Sequence, residues 1–243
     1  MESTRGNAGR PTVVLVHGAW ADALSWQGVI PLLQREGYHV VAVENPLTSF
    51  ADDVATTRRM IDAQTGPVVV VAHSYGGAVT TAAAAGRPNV RALVYITAFA
   101  PDEGEVFGAL LGRFGDSDIN AAIAPDAAGS FYIDPAKFND VFAGDLPAEQ
   151  ARVMAATQKP FAGAIFGASI EGAPAWRTIP SWYVVARNDR TIKPELQRFM
   201  AERMGARTSE LDSSHVAYIS HPADVARLID EAASSVGEAV AAV

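Results

Sequence analysis

The chain has 243 residues, 49% of them apolar and 19% charged, with a formal net charge of −8 and no cysteine. That is enough chain for one large core and too apolar a composition for a disordered protein. The acidic balance argues against nucleic acid and anionic membranes as partners, and the absent cysteines exclude disulfides, thiolate nucleophiles and cysteine-bound metals.

Residues 1–10 are polar and lack the apolar stretch of a secretion signal. No apolar run approaches the ~20 residues that span a bilayer. A flexible N-terminus and a cytoplasmic protein, monomeric or homodimeric, are therefore expected. Five apolar runs, near 12–16, 39–43, 67–72, 91–97 and 181–186, and the strand-like stretch 207–211 read as strands. Helical patterns at 25–36, 52–64, 76–86, 194–204 and 222–236 separate most of them. This alternation implies an α/β fold, doubly wound around a mainly parallel six-stranded sheet. The stretch 101–178 breaks the rhythm, holds no β-rich run and is too long for a plain loop. It is expected to form an inserted helical cap, leaving 11–100 and 179–243 as the core.

Chemistry-bearing residues follow the ends of the strands. The first strand leads into His17-Gly18-Ala19-Trp20. A glycine there lets the next backbone N–H turn outward, so Ala19 is a candidate oxyanion donor. His17 reads as a packed loop histidine. The third strand, Val68 to Val71, leads into Ala72-His73-Ser74-Tyr75-Gly76-Gly77 and an Ala-rich helix. A serine at such a turn is strained, with its hydroxyl exposed, provided the flanking positions are small. Here they are Ala72 and Gly76, where G-x-S-x-G is the usual pattern. Tyr75, next to the nucleophile, is the second candidate oxyanion donor. His73 reads as a packing and hydrogen-bonding residue, and Trp26 as packed on its helix.

The strand Trp182 to Ala186 ends in Arg187-Asn188-Asp189, and Asp189 reads either as a catalytic acid or as a cap for the helix after Pro194. The last strand is followed by Ser213-Ser214-His215. The order is then Ser74, Asp189, His215: nucleophile, acid, base. His221, against Pro222, and Asp102, in a Pro-Asp-Glu-Gly turn, are the rival base and acid; their bland readings are a packed and a solvated turn residue. Each favoured candidate lies past the carboxyl end of a strand, where ligand sites of open parallel sheets gather. Trp20 and Phe99 near those ends, with Phe161 and Phe166 in the insertion, are candidate substrate contacts. Apolar residues such as Phe107, Leu110, Leu111, Phe114 and Ile165 add to an apolar insertion.

These motifs, His17-Gly18-Ala19-Trp20 with Trp26, Ala72 to Gly77, Asp189 to Ile192 and Ser214-His215, run along nearly the whole chain. By them it resembles the α/β-hydrolase superfamily, and within it the small bacterial esterases related to plant methylesterases and hydroxynitrile lyases. The resemblance implies a cofactor-free and metal-free serine hydrolase acting on small apolar or aromatic carboxylic esters through an acyl-enzyme. Two other chemistries stay open on the same scaffold: a lyase of the hydroxynitrile type, which needs a further basic group, and a hydrolase-derived small-molecule binding protein.

Overall fold

The computed structural model describes residues 10–241; the expected flexible N-terminus, but for Arg10, lies outside the described residues. Six strands form one sheet: β1 (Thr12–Val16), β2 (Val40–Val43), β3 (Val68–His73), β4 (Val90–Ile96), and, beyond the inserted segment, β8 (Ser181–Ala186) and β9 (Arg207–Leu211). Their order is β2-β1-β3-β4-β8-β9, with every neighbouring pair parallel. β3 is buried at all six positions, because helices cover both faces of the sheet and a valine run satisfies both. β9, at the edge, reads Arg-Thr-Ser-Glu-Leu and is largely exposed. The strand order reverses between β1 and β3. Crevices at such a reversal, beyond the carboxyl ends, are where this architecture binds ligands.

Helices α1 (Ile30–Arg35), α2 (Phe50–Asp62), α3 (Tyr75–Ala83), α7 (Pro194–Arg203), α8 (Ala217–Ser220) and α9 (Pro222–Ala241) connect or follow the strands of the main sheet. The helix expected over 25–36 is split. Asp22 caps a 3-10 turn, Ala23–Gly28, by accepting from Ser25 N at 3.0 Å, and Pro31 starts α1 afresh. Ser49 caps α2, accepting from Asp52 N at 3.1 Å. Its neighbour Asp53 is fully buried and serves a different purpose, described below.

The segment 101–178 adds no strand to the main sheet. It holds α4 (Phe107–Leu111), α5 (Phe138–Phe142) and α6 (Ala148–Ala156), but it is not helical throughout. Strands β5 (Ile123–Pro125), β6 (Ser130–Ile133) and β7 (Phe161–Ala162) form a small antiparallel sheet. At two to four residues each, they are too short to carry a period-2 signal, which is why the sequence reads as strand-free there. The β5–β6 hairpin is closed by Asp126, whose Oδ1 accepts from Ala128 N and Ser130 N, with Gly129 at φ 82°. Among the described residues no helix is long and apolar enough to cross a membrane.

Candidate active site

Ser74 stands between β3 and α3 with φ 52° and ψ −127°, a conformation unfavourable for any residue with a Cβ. Packing enforces it. The Ser74 carbonyl accepts from Gly77 N at 2.9 Å and Phe99 N at 3.0 Å, which pins the turn to the loop after β4. The neighbouring glycines have no room for a side chain. A Cβ on Gly76 would lie 2.5 Å from His17 O and 2.7 Å from Val16 O; one on Gly77 would lie 2.2 Å from Phe99 O. The crowding that demands a small residue at position 76 thus comes from the backbone leaving β1. Gly18 is tight for the same reason, since its Cβ would meet Ser74 Cβ at 2.7 Å.

The loop after β9 brings His215 over this serine. His215 Nε2 lies 2.8 Å from Ser74 Oγ, and Nδ1 lies 2.7 Å from Asp189 Oδ2. All three residues are buried. Asp189 Oδ1 accepts from Thr191 N at 2.7 Å and Ile192 N at 2.9 Å, so both partners on that oxygen are donors. Oδ2 also accepts from Gln197 Nε2 at 2.7 Å. The rivals stand elsewhere. Asp102 pairs with Arg177, and His221, a third exposed, lies 3.9 Å from Asp224 at the start of α9.

Two further histidines are structural. His17 Nδ1 donates to Gly18 O, while Nε2 accepts from Asn45 N, so the ring is neutral; burial lowers its pKa. His73 Nε2 donates to His215 O at 3.0 Å, and Thr97 Oγ1 donates to the same carbonyl at 2.8 Å. Burial, and then the neighbouring His215, hold the His73 pKa well below its ordinary value. Trp26 is fully buried against Tyr218, with ring centroids 4.4 Å apart.

The N–H groups of Ala19 and Tyr75 find no acceptor among the described residues, and both residues line the same pocket as Ser74. Trp20, Phe99, Phe161 and Phe166 line it too. From the apolar set in the insertion, Phe107, Leu111 and Ile165 join them, while Leu110 is buried away from the pocket and Phe114 is exposed. About 510 Å³ of empty space, mouth included, lies among these side chains, and none of them is charged. Sequence reasoning missed Ile119, Ile123 and Ile192 on the wall. It also missed Asp53, whose Oδ2 accepts from the Tyr75 hydroxyl at 2.7 Å and Oδ1 from Leu47 N at 2.8 Å. Burial pushes the Asp53 carboxyl up, only partly offset by those two bonds, and pushes the Tyr75 phenol up as well. No cluster of potential metal ligands occurs among the described residues.

A model of the alpha/beta hydrolase family matches residues 13–228. The protein named "Probable hydrolase R7" of a Phoma species is 28% identical over 246 residues, covering 92% of this chain and 98% of its own. Methylesterase 8 of Arabidopsis thaliana is 26% identical, covering 78% of this chain and 76% of its own. Among solved structures, a pyrethroid hydrolase from Sphingobium faniae aligns with a TM-score of 0.78 at 23% identity, over 94% of this chain and 99% of that one. At that identity the likeness concerns the fold alone.

Proposed function

The chain belongs to the alpha/beta hydrolase family, and on that premise we propose that it is a serine esterase. Ser74 is the nucleophile, His215 the general base and Asp189 the acid that orients it. The observation that carries this reading is the unbroken line of contacts from Asp189 Oδ2 through both ring nitrogens of His215 to Ser74 Oγ. Ser74 Oγ bonds to the ester carbonyl carbon while His215 Nε2 takes its proton, and Asp189 stabilises the imidazolium. The oxyanion receives the N–H groups of Ala19 and Tyr75; losing one such donor costs about 3 kcal/mol. The imidazolium then protonates the departing alcohol, which leaves an acyl-enzyme on Ser74. Water repeats the sequence and releases the acid. The relative named a methylesterase supports ester hydrolysis as the chemistry.

A pocket without charged side chains suits an uncharged apolar or aromatic acyl group. The segment 101–178 acts as the cap: it supplies Phe107, Leu111, Phe161, Ile165 and Phe166 to the pocket wall. A lyase would need a base at the substrate, and none of the three lysines lines the pocket. Lys159 is held by Glu44 and Asn45 O, Lys137 by Ala121 O and Lys193 by Phe114 O. Ser74→Ala is expected to lower kcat/KM on p-nitrophenyl acetate by about 10⁴-fold or more with an unchanged melting curve. Stoichiometric labelling by a fluorophosphonate at any other residue overturns the assignment.

A further inference from the structure

Asp189 accepts four hydrogen bonds, and only one of them is to His215. Two come from the N–H groups of its own turn, on Oδ1. The fourth comes from Gln197 in α7, on Oδ2, the oxygen that also faces His215. Gln197 is wholly buried, and both N–H groups of its amide are used. Nε2 donates to Asp189 Oδ2 and to Ile192 O, each at 2.7 Å, while Oε1 accepts from Ala186 N at 3.0 Å. The orientation is forced: a flipped amide would set its oxygen against a carboxylate and a carbonyl, and its NH₂ against an N–H. One side chain therefore ties the last residue of β8, the carbonyl of the next turn and the Asp189 carboxylate into a single arrangement.

We propose that Gln197 is a positioning residue for the reaction, selecting and fixing the Asp189 oxygen that orients His215. It touches neither substrate nor reacting atoms and acts through Asp189, so the inference rests on the Ser74–His215–Asp189 reading above. A purely packing residue could be replaced by any side chain of similar length. A positioning amide could not, because Oδ2 would lose its second donor and the carboxylate could rotate away from the imidazole.

Two variants separate these roles. Gln197→Met keeps the length and removes the amide. Gln197→Glu sets a buried carboxyl against an existing carboxylate, which raises the pKa of the new group. While protonated, that group donates to Asp189 Oδ2 and accepts from Ala186 N; once ionised, it repels Asp189 and the bond is gone. The other titratable side chains at this cluster are His215, His73 and Tyr183. His73 is neutral, and the Tyr183 phenol is pushed far up by burial and by Asp189, so neither changes charge in the assay range.

With p-nitrophenyl acetate, Gln197→Met should lower kcat by about 30-fold with KM within about twofold of wild type and an unaltered profile shape. Gln197→Glu should stay within about fivefold of wild type at pH 6 and fall at least about tenfold further behind it by pH 9. A cooperatively melting Gln197→Met enzyme with wild-type kcat overturns the inference. So does a Gln197→Glu profile parallel to wild type, which decides alone if the methionine variant does not fold. Ser74→Ala is measured alongside. Activity surviving in it refutes the underlying triad; its loss beside silent Gln197 variants refutes only the role of Gln197.

Discussion

The turn around Ser74 and the inserted segment 101–178 face the same pocket, yet they are held in opposite ways. The turn is gripped by main chain: the carbonyls leaving β1 and the loop after β4 leave Gly76 and Gly77 no space, and Ser74 is forced to a positive φ. The insertion meets the core mostly through side chains, besides two main-chain bonds, Lys159 N to Trp20 O at 3.1 Å and Ala162 N to Leu47 O at 3.0 Å. Trp20 Nε1 donates to Phe131 O, Ser117 Oγ to Arg190 O and Thr191 O, and Thr191 Oγ1 to Val141 O. Backbone enclosure fixes where Ser74 sits and tolerates no change. Side-chain contacts define a wall whose shape can vary while the turn stays intact.

Glycine substitutions should expose this contrast most strongly. Gly76→Ala drives a Cβ to 2.5 Å from His17 O, next to a central strand that cannot retreat. A loss of about 3 kcal/mol or more is expected from such overpacking. Gly167, in the insertion, has nothing within 4 Å of an added Cβ, and Gly167→Ala should stay within about 0.5 kcal/mol of wild type. Urea unfolding midpoints compare the two. Equal losses would mean that the insertion around Gly167 is as tightly enclosed as the turn.

The same contrast explains what could be read before the structure was seen. Strands buried on both faces, β1, β3 and β8, appear in sequence as unbroken apolar runs, whereas the edge strand β9 is polar and exposed. Candidates for chemistry fall just beyond strand ends, a positional rule that needs no knowledge of contacts, and it brought Ser74, Asp189 and His215 to one place. Gln197 was not legible: a glutamine on an amphipathic helix looks like a surface residue until the helix is docked. Asp53 was hidden likewise, because an acidic residue in a first helical turn already has a local reason to be there. β5 to β7 escaped because their pairing depends on contacts across the fold and not on a local period.

A variable wall predicts altered selectivity without altered chemistry. Phe161 packs against Trp20 at 5.7 Å and Tyr75 at 5.1 Å, and Phe166 against Phe161 at 5.2 Å. Phe161→Ser and Phe166→Ser should change kcat/KM ratios among p-nitrophenyl esters of increasing chain length by about 10–100-fold. Hydrolysis of the acetate should change much less. An unchanged chain-length preference in both variants would place the acyl group elsewhere.

Acid sensitivity between pH 7.5 and 5.5 should belong to the core, since the insertion contains no histidine. His17 and His73 are neutral when folded, with pKa values lowered by burial, whereas the unfolded chain protonates them near pH 6.5. The unfolded state therefore binds more protons in acid. Stability is full above about pH 6.5 and is lost as pH falls from there toward the folded-state values. Each pKa unit of difference corresponds to about 1.4 kcal/mol, or roughly 3 °C in Tm for a chain of this size. His73→Asn should melt lower at every pH, yet lose less between pH 7.5 and 5.5 than wild type does. An equal slope would put the acid sensitivity on other groups.

Beside the Phe142 ring, which packs on His215 at 4.9 Å, the insertion makes a polar contact with the residue before it, and this gives the smallest expected effect. Asp145, between α5 and α6, accepts from Ser214 N at 2.9 Å and from the Ser214 hydroxyl, one residue before His215. Burial alone would push its carboxyl up, but the bonds from Ser214 and Ser220 bring it below its ordinary value, so it is ionised at neutral pH. The rest of the loop is anchored by the core: Ser213 O accepts from Asn188 N, and His215 O accepts from His73 and Thr97. Asp145 is thus a single anchor among several, and its side chain is largely solvated. Asp145→Ala should lower kcat by about fivefold, the equivalent of roughly 1 kcal/mol for a solvent-screened bond to a charged acceptor. KM and chain-length preference should hold, because no pocket residue changes. Ser214→Ala should act in the same direction more weakly, and the double variant should be no slower than Asp145→Ala, since both remove parts of one contact. If Asp145→Ala leaves kcat intact, the Asp145 anchor plays no part in the reaction; if it changes chain-length preference, wall and anchor are the same structure.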